Sequence, residues 1–257
     1  MNDHELAATL AEQAGKLLLA IRAQGGAAGD EQSNRFLLDQ LRLVRPNDAI
    51  LSEESPDDQV RAEHSRVWII DPLDGTREYG EPPRDDWAVH VALAVDGEAV
   101  VGAVALPAAG LVLHTGQPPE LAPPAPGPLR VAVSRSRPSR EVMQLTAALS
   151  AKPVPMGSAG AKAMAVVRGE VDVYAHSGGQ YEWDSCAPVA VAAAAGLHVS
   201  RLDGTPLRYN RPDPYLPDVL ICRPESADLV LNVLHLGVSH AHHRNQSAAG
   251  QHRPRSR

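Results

Sequence analysis

Apolar residues near the N-terminus recur every three or four positions, which is the spacing of an amphipathic helix. They predict one helix over 5–22, capped by Asp3. A second helix is predicted to begin at Asp30, with one apolar face formed by Phe36, Leu37, Leu41 and Val44. The glycine-rich run 25–29 between them predicts a mobile loop that ends the first helix.

Shorter apolar runs rich in β-branched residues predict strands. One ends at Leu51, a buried strand covers 67–70, and Asp96-Gly97 between two apolar runs predicts a hairpin of 87–95 with 99–106, which 111–114 extends. Further along, strands are predicted at 129–134, 153–157, 171–175, 199–202 and 219–222, and helices at 139–149, 159–168, 184–195 and 226–236. This order predicts a layered α/β (α+β) fold with mixed and antiparallel sheets.

A proline-rich stretch, 116–128, interrupts the pattern and is predicted to be a surface excursion or a linker. We therefore divide the chain into an N-terminal α+β half, 1–128, and a C-terminal α/β half, 129–236. Residues 237–257 are rich in histidine and arginine and lack periodicity, so we predict a disordered tail.

Composition narrows the class of protein. The formal net charge of the 257-residue chain is −7, although its tail carries four arginines and no acidic residue. The rest of the chain is therefore more acidic still, which argues against nucleic-acid binding. The two cysteines, Cys186 and Cys222, fit no C-x-x-C or zinc pattern and are expected to be buried side chains in a reducing compartment. No apolar run is long enough to span a bilayer and the N-terminus does not resemble a signal peptide, so a cytoplasmic protein is expected.

The stretch 68–76 carries the candidate chemistry. A buried strand leads into Asp71-Pro-Leu-Asp74-Gly75, where Pro72 and Gly75 should hold two carboxylates at one strand end. Like charges this close are unfavourable without a cation between them, and Mg²⁺ prefers such oxygen ligands. The alternative is an ordinary turn with solvated aspartates.

Two further acidic clusters favour the metal interpretation: Glu53-Glu54 follows a predicted strand, and Glu182-Trp183-Asp184 begins a predicted helix. Two Mg²⁺ ions would satisfy the carboxylates and the Leu73 carbonyl, and such pairs promote phosphoryl transfer. Thr76 could hold a water molecule, and the helix N-terminus at Asp184 favours anions.

Three stretches resemble the signatures of the inositol monophosphatase superfamily of Mg²⁺-dependent, Li⁺-sensitive phosphatases: Ser-Glu-Glu-Ser (52–55), Asp-Pro-Leu-Asp-Gly-Thr (71–76) and Glu-Trp-Asp-Ser-Cys-Ala-Pro (182–188). They occur in the family's order, and the resemblance covers about residues 1–236. Within the superfamily the chain is most similar to the CysQ-type 3′-phosphoadenosine 5′-phosphate phosphatases of actinobacteria, on the stretches 87–90, 157–164, 178–184 and 202–210. The resemblance implies a layered αβαβα sandwich of the sugar-phosphatase type.

The resemblance also implies roles for individual residues. Glu53, Asp71 and the Leu73 carbonyl match the ligands of a first Mg²⁺, and Asp71, Asp74 and Asp184 match those of a second. Thr76 with Glu53 would orient the nucleophilic water. Asp30 would support Thr76 and a weaker third ion, although the family's threonine is missing from the run before it. The implied catalytic set is Glu53, Thr76, Asp74 and Asp30, and the implied substrate-binding set is Leu73, Asp74, Gly75, Thr76, Ser158, Lys162 and Asp184.

The implied reaction is hydrolysis of the 3′-phosphate of 3′-phosphoadenosine 5′-phosphate to AMP and phosphate in sulfur assimilation, with the 5′-phosphosulfate analogue as a second substrate. Alternatives are an inositol monophosphatase, a fructose-1,6-bisphosphatase and, more remotely, an inactive nucleotide sensor, which the complete ligand set disfavours. The expected partner is a small nucleotide, with no nucleic acid and no membrane span. Homodimers occur in this superfamily, and the hairpin 87–106 could supply an interface. We interpret His90 as a packing residue, and Pro188 as tolerated early in its helix.

Overall fold

A computed structural model of the protein describes residues 1–57 and 59–235. Its first two elements are the helices α1 (Asp3–Ile21) and α2 (Gly26–Val44). Asn2 caps α1 in place of the predicted Asp3, because its side chain accepts a hydrogen bond from the Glu5 amide while the Glu5 carboxylate accepts one from the Asn2 amide.

The predicted mobile loop at 25–29 is wrong, and so is the predicted helix start at Asp30. Only Gly25 lies outside a helix, as the residue before α2, and Asp30 lies in the second turn of α2. The glycines serve close packing instead. A Cβ atom at Gly26 would lie 2.4 Å from Thr76 Cγ2, and one at Gly29 would lie 3.0 Å from Leu73 Cδ2.

The first sheet contains β1 (Ala49–Ser52), β2 (Arg66–Asp74), β3 (Ala88–Val95), β4 (Glu98–Leu106) and β5 (Leu111–His114), in that spatial order. β1 and β2 are parallel, and the other pairs are antiparallel. The predicted hairpin is confirmed: Asp96 and Gly97 both have positive φ, as its tight turn requires.

The second sheet contains β6 (Arg130–Ser134), β7 (Lys152–Met156), β8 (Val173–Tyr181), β9 (His198–Ser200) and β10 (Tyr215–Cys222), in the order β7-β6-β8-β10-β9. β6 is parallel to both neighbours, whereas β10 is antiparallel to both of its own. The sheets are therefore mixed, as predicted. The remaining helices are α3 (Thr76–Tyr79), α4 (Arg140–Ala148), α5 (Ala159–Val167), α6 (Glu182–Ala194) and α7 (227–235).

Alternation along the strands explains the layers. In β2, Trp68 and Ile70 pack against α1 and α2, whereas Val67 and Ile69 face the core that contains α5 and α6. In the second sheet, Ala132, Tyr174, Val219 and Ile221 join that same core. The opposite face packs on α4 and α7 through Val142, Leu145, Ala227, Val230 and Leu234. The five layers confirm the αβαβα sandwich.

The dimer interface, the division of the chain and the C-terminal tail were also predicted from the sequence. α1 and α6 cover the hairpin β3–β4, so it offers no free face for a dimer, and a homodimer stays a prediction. The division at 128/129 likewise stays a prediction, and the tail 237–257 lies outside the described residues. Within 1–57 and 59–235, no helix is long and apolar enough to cross a membrane.

Candidate metal centre and active site

An irregularity in β2 holds the two aspartates of the central motif. The predicted strand ended at Ile70, but β2 continues to Asp74. Asp71 pairs with His90, and Asp74 pairs with Ala88. Pro72 lies in the intervening bulge, where its missing N–H breaks no ladder bond. Its carbonyl accepts from Ser33 Oγ at 2.8 Å, and Asp71 Oδ1 accepts from the Leu73 amide at 3.0 Å. The motif is thus held by its own backbone and by α2.

Four carboxyl groups converge at this bulge. Glu53 follows β1, which runs parallel to β2 and pairs Ser52 with Ile70. Asp184 comes from the first turn of α6. Burial and the nearby charges of Asp184 and Asp74 raise the pKa of Glu53 to about 7. Burial, Asp74 and Glu53 raise the pKa of Asp71 well above its usual value, and burial with Asp74 raises that of Asp184 to about 6.

Asp74 is the exception among these carboxyl groups. Its Oδ2 accepts from Ser158 Oγ at 2.5 Å and from the Gly160 amide at 2.6 Å, and its Oδ1 accepts from the Ala159 amide at 3.1 Å. Burial alone would raise the pKa of Asp74, but the partnership with His90 and the bonds from Ser158 and Gly160 hold it well below its usual value. Asp74 therefore stays ionised and also caps α5.

Thr76 and Asp30 meet although they are far apart in sequence. Gly75, with φ of 88°, turns the chain from β2 into the short helix α3. Thr76 Oγ1 then lies 3.3 Å from the Leu73 carbonyl oxygen and 3.4 Å from Asp30 Oδ1. Burial and the charge of Glu54 raise the pKa of Asp30 to about 6. The structure thus brings Asp30 to Thr76, the pair that the resemblance linked.

Ser158 and Lys162 lie behind the carboxylates. Ser158, with φ of 46°, caps α5 by accepting from the Ala161 amide at 3.0 Å while it donates to Asp74. Lys162 is 6% exposed, and its Nζ donates to the carbonyls of Gly157 at 3.1 Å and Ser158 at 2.6 Å. Burial lowers the pKa of Lys162. Both side chains support the site from within, and their contacts with a nucleotide stay predictions.

His90 is more than the packing residue that its strand suggested. It is fully buried, and its Nδ1 donates to the Trp183 carbonyl at 2.9 Å. Its Nε2 lies 3.2 Å from Asp74 Oδ2, within ion-pair distance but outside the alignment of a hydrogen bond. Burial alone would lower the pKa of His90, but Asp74 raises it. A histidine in an otherwise apolar strand was the signal that sequence reasoning undervalued.

A second set of contacts that sequence reasoning missed anchors α6. The buried carboxylate of Glu182 accepts from the amides of Asn210 at 2.7 Å and Arg211 at 2.9 Å. Arg61, 2% exposed, donates to Asn210 Oδ1 at 3.0 Å and pairs with Asp57 at 2.7 Å. The segment that follows Glu53 is thus tied to the turn that carries Asp184.

Pro188 departs from the expectation that it lies early in its helix. α6 begins at Glu182, so Pro188 is its seventh residue, beyond the four amides that lack helical partners. Because Pro188 has no N–H, the Asp184 carbonyl loses its helical donor. The first turn of α6, which carries Asp184, is therefore less tightly bonded to the rest of the helix.

The donor set suits a divalent cation. The charges that act on Glu53 and Asp71 are mainly those of other carboxyl groups, which only a proton or a cation can offset. A carboxylate oxygen of Asp71, one of Asp74 and a ring nitrogen of His90 all lie within 4.8 Å of one another. Carboxylate and carbonyl oxygens favour Mg²⁺ over softer metals.

Residues 26–235 match the inositol monophosphatase family. The chain belongs to the inositol monophosphatase family. It is 54% identical over 237 residues to a 3′-phosphoadenosine 5′-phosphate phosphatase of Mycobacterium bovis, covering 86% of this chain and 89% of that one. It is 50% identical over 254 residues to the protein of the same name in Mycobacterium leprae, covering 91% and 94%.

Two less similar proteins of known name also match most of this chain. The 3′(2′),5′-bisphosphate nucleotidase CysQ of Escherichia coli is 30% identical over 200 residues, covering 74% of this chain and 81% of that one. The crystal structure of CysQ from Bacteroides thetaiotaomicron superposes with a TM-score of 0.72 at 24% identity, covering 85% of this chain and 96% of that one. At that identity the second comparison supports the fold alone, which is the family's sandwich.

Proposed function

We propose that this chain is a Mg²⁺-dependent, Li⁺-sensitive phosphomonoesterase that hydrolyses the 3′-phosphate of 3′-phosphoadenosine 5′-phosphate to AMP and phosphate in sulfur assimilation. The convergence of Glu53, Asp71, Asp74 and Asp184 beside the Thr76–Asp30 pair carries this proposal. The names of the relatives at 50–54% identity support the nucleotide as substrate, and the 5′-phosphosulfate analogue is a second candidate.

The proposed cofactor is a pair of Mg²⁺ ions, with a weaker third near Asp30. Glu53, Asp71, the Leu73 carbonyl, Asp74 and Asp184 would hold the pair. When bound, Mg²⁺ supplies the positive charge that activates water and offsets charge on phosphate oxygens. Asp74 is the ligand that stays charged without a cation, since its pKa is held below the usual range.

The chain's own groups would orient the reaction. The hydroxyl of Thr76, whose neighbours are Asp30 and the Leu73 carbonyl, would position a water molecule together with Glu53. The backbone amides of Gly75 and Thr76 would bind the phosphate. The water oxygen would bond to phosphorus as the bond from phosphorus to O3′ breaks. One proton of the water would stay on the released phosphate and the other would end on the 3′-oxygen.

The test is phosphate release by purified protein in Mg²⁺, with and without Li⁺. Four substrates are compared: 3′-phosphoadenosine 5′-phosphate, its 5′-phosphosulfate analogue, inositol 1-phosphate and fructose 1,6-bisphosphate. We expect a strong preference for the adenosine substrates and inhibition by Li⁺. A preference for either sugar phosphate would refute the proposed substrate and leave the phosphatase chemistry in place.

The variant Glu53→Gln tests whether Glu53 acts in the chemical step or in substrate binding. Glu53→Gln should lower kcat by about a hundredfold or more, the range for loss of a general base, with a smaller change in substrate KM. A Glu53→Gln protein with the full hydrolytic rate would contradict the water-orienting role. No release from any substrate by the wild-type protein would instead favour an inactive nucleotide sensor.

A further inference from the structure

His90 lies between the end of β2, which carries Asp74, and the first turn of α6, which carries Asp184. It lies on β3, is fully buried, and faces one oxygen atom with each ring nitrogen. Nδ1 donates to the Trp183 carbonyl at 2.9 Å, and Nε2 lies 3.2 Å from Asp74 Oδ2. Asp74 ends β2, and Trp183 directly precedes Asp184 in the first turn of α6. The imidazole therefore bridges the two elements that supply these carboxylates.

The ring is enclosed too tightly to be a metal ligand itself. A Cβ atom at Gly160 would lie 2.1 Å from His90 Nε2, so the backbone of α5 runs directly past that nitrogen. A transition-metal ion bound by imidazole lies about 2.0–2.1 Å from the nitrogen, which is where a Cβ atom at 160 would also lie. Gly160 and Asp74 Oδ2 already occupy the surroundings of Nε2, and glycine at 160 makes room for the ring alone.

The contacts of Asp74 show what the bridge does. Oδ2 faces Ser158 Oγ, the Gly160 amide and His90 Nε2, whereas among residues 1–57 and 59–235 Oδ1 accepts from the Ala159 amide alone. A carboxylate oxygen has about two acceptor directions, so Oδ2 is saturated and Oδ1 keeps one free. The side of the carboxylate that can face a cation is thus determined by the three groups on Oδ2.

We infer that His90 is a positioning residue for the metal centre, which holds Asp74 with Oδ1 free and holds the first turn of α6 so that Asp184 faces the same point. Partners of this kind orient metal ligands, and their removal typically costs 10–100-fold in metal affinity. The inference rests on the proposed function only in taking Mg²⁺ as the cation.

The experiment measures Mg²⁺ binding without substrate, by calorimetric titration of the full chain, alongside the unfolding temperature of the metal-free protein. His90→Phe keeps a planar ring and removes both nitrogens, and we expect its Mg²⁺ affinity to fall 10–100-fold. His90→Gln can still donate to one of the two oxygens, and its loss should be smaller. The control is His198→Gln, a half-buried histidine of β9 that bonds to Ser200, for which wild-type affinity is expected.

A second variant covers the case in which His90→Phe does not fold. Gly160→Ala places a methyl group against Nε2 and displaces the ring without removing it, so Mg²⁺ affinity should fall here too. Wild-type Mg²⁺ affinity in both folded variants, with only a lower unfolding temperature, would show that His90 merely packs. A loss of Zn²⁺ or Mn²⁺ binding much larger than that of Mg²⁺ would make His90 a ligand and overturn the inference.

Phosphate release by the wild-type protein distinguishes this inference from the function on which it rests. A wild-type protein without phosphatase activity, combined with weakened Mg²⁺ binding in His90→Phe, would refute the function and sustain the inference. An active wild-type protein with unaltered Mg²⁺ binding in the variants would refute the inference alone.

Discussion

Asp71 and Asp74 are three residues apart in one bulge, yet their surroundings favour opposite protonation states. Asp71 is buried beside other carboxyl groups, which raise its pKa, and the hydrogen bond that it accepts from the Leu73 amide only partly offsets them. Asp74 lies beside His90 and accepts hydrogen bonds from Ser158 and the Gly160 amide, so its pKa is lowered. Sequence shows two identical side chains at a strand end; the difference depends on residues 158–160, which only folding brings into contact.

Because burial and neighbouring carboxyl groups raise the pKa of Asp71, we expect its carboxyl group to destabilise the metal-free protein. Asp71→Asn retains the acceptor for the Leu73 amide and removes the charge, so the metal-free protein should gain on the order of 1–2 kcal/mol at pH 8. Mg²⁺ should no longer raise the unfolding temperature of this variant. The matched control, Asp39→Asn on the exposed face of α2, should change neither quantity, and a destabilised Asp71→Asn protein would contradict the argument.

The stability of the metal-free protein should also depend on pH through Glu53. Its pKa is about 7 in the folded protein and 4.5 in an ordinary environment, so the folded state binds the proton more tightly. This contribution to stability is complete below about pH 4.5 and disappears as pH rises through 7. Denaturant titrations at pH 5 and 7.5 should show a larger decline for the wild-type protein than for Glu53→Gln. Equal declines would contradict the assignment.

The residues at the start of α2 predict a loop where the structure has a helix. Three of the five residues at 25–29 are glycines, which have weak helix propensity, so the run resembles a loop. In the fold the same small residues allow the first turns of α2 to approach Thr76 and Leu73. Tertiary packing overrides propensity, and Asp30 reaches Thr76 as a result.

Gly26→Ala tests whether this close approach serves the active site. The added Cβ would lie 2.4 Å from Thr76 Cγ2, which must move together with its hydroxyl, so kcat should fall at least tenfold. Thr76→Ser removes Cγ2 and keeps the hydroxyl. The double variant should therefore recover activity relative to Gly26→Ala alone, as a coupling in a double-mutant cycle of phosphate release. Additive losses would show that the contact has no such role.

Much of the element order could be predicted from the sequence, because periodicity and turn residues are local. The Asp96-Gly97 hairpin, the cap of α5 at Ser158 and the helix beginning at the third acidic cluster follow from neighbouring residues alone. The positions of Glu53, Asp71, Asp74 and Asp184 in one cluster were expected from the resemblance. The bulge in β2, the role of His90 and the contacts of Glu182 with 210–211 depend on pairings between distant segments, which no local pattern contains.

The layer formed by α5 and α6 between the two sheets joins the two halves of the molecule. α5 and α6 belong to the second half of the chain, yet they pack between the two sheets and contribute to the core of the first sheet. Glu53, Asp71 and Asp74 come from the first half, whereas Asp184 and the donors to Asp74 come from the second. The site is complete only when both halves have folded around this layer.

The connection between the halves, 115–129, is largely exposed and contains no helix or strand. The peptide bond there is therefore dispensable once the fold exists, and a protease site inserted near 124 should yield a nicked enzyme whose fragments co-elute and retain Mg²⁺ binding. After denaturation the fragments would have to find each other by diffusion, so refolding should become bimolecular and its rate should rise with protein concentration. The intact chain avoids this step, and its proline-rich connection acts as a tether that matters during assembly rather than in the finished molecule.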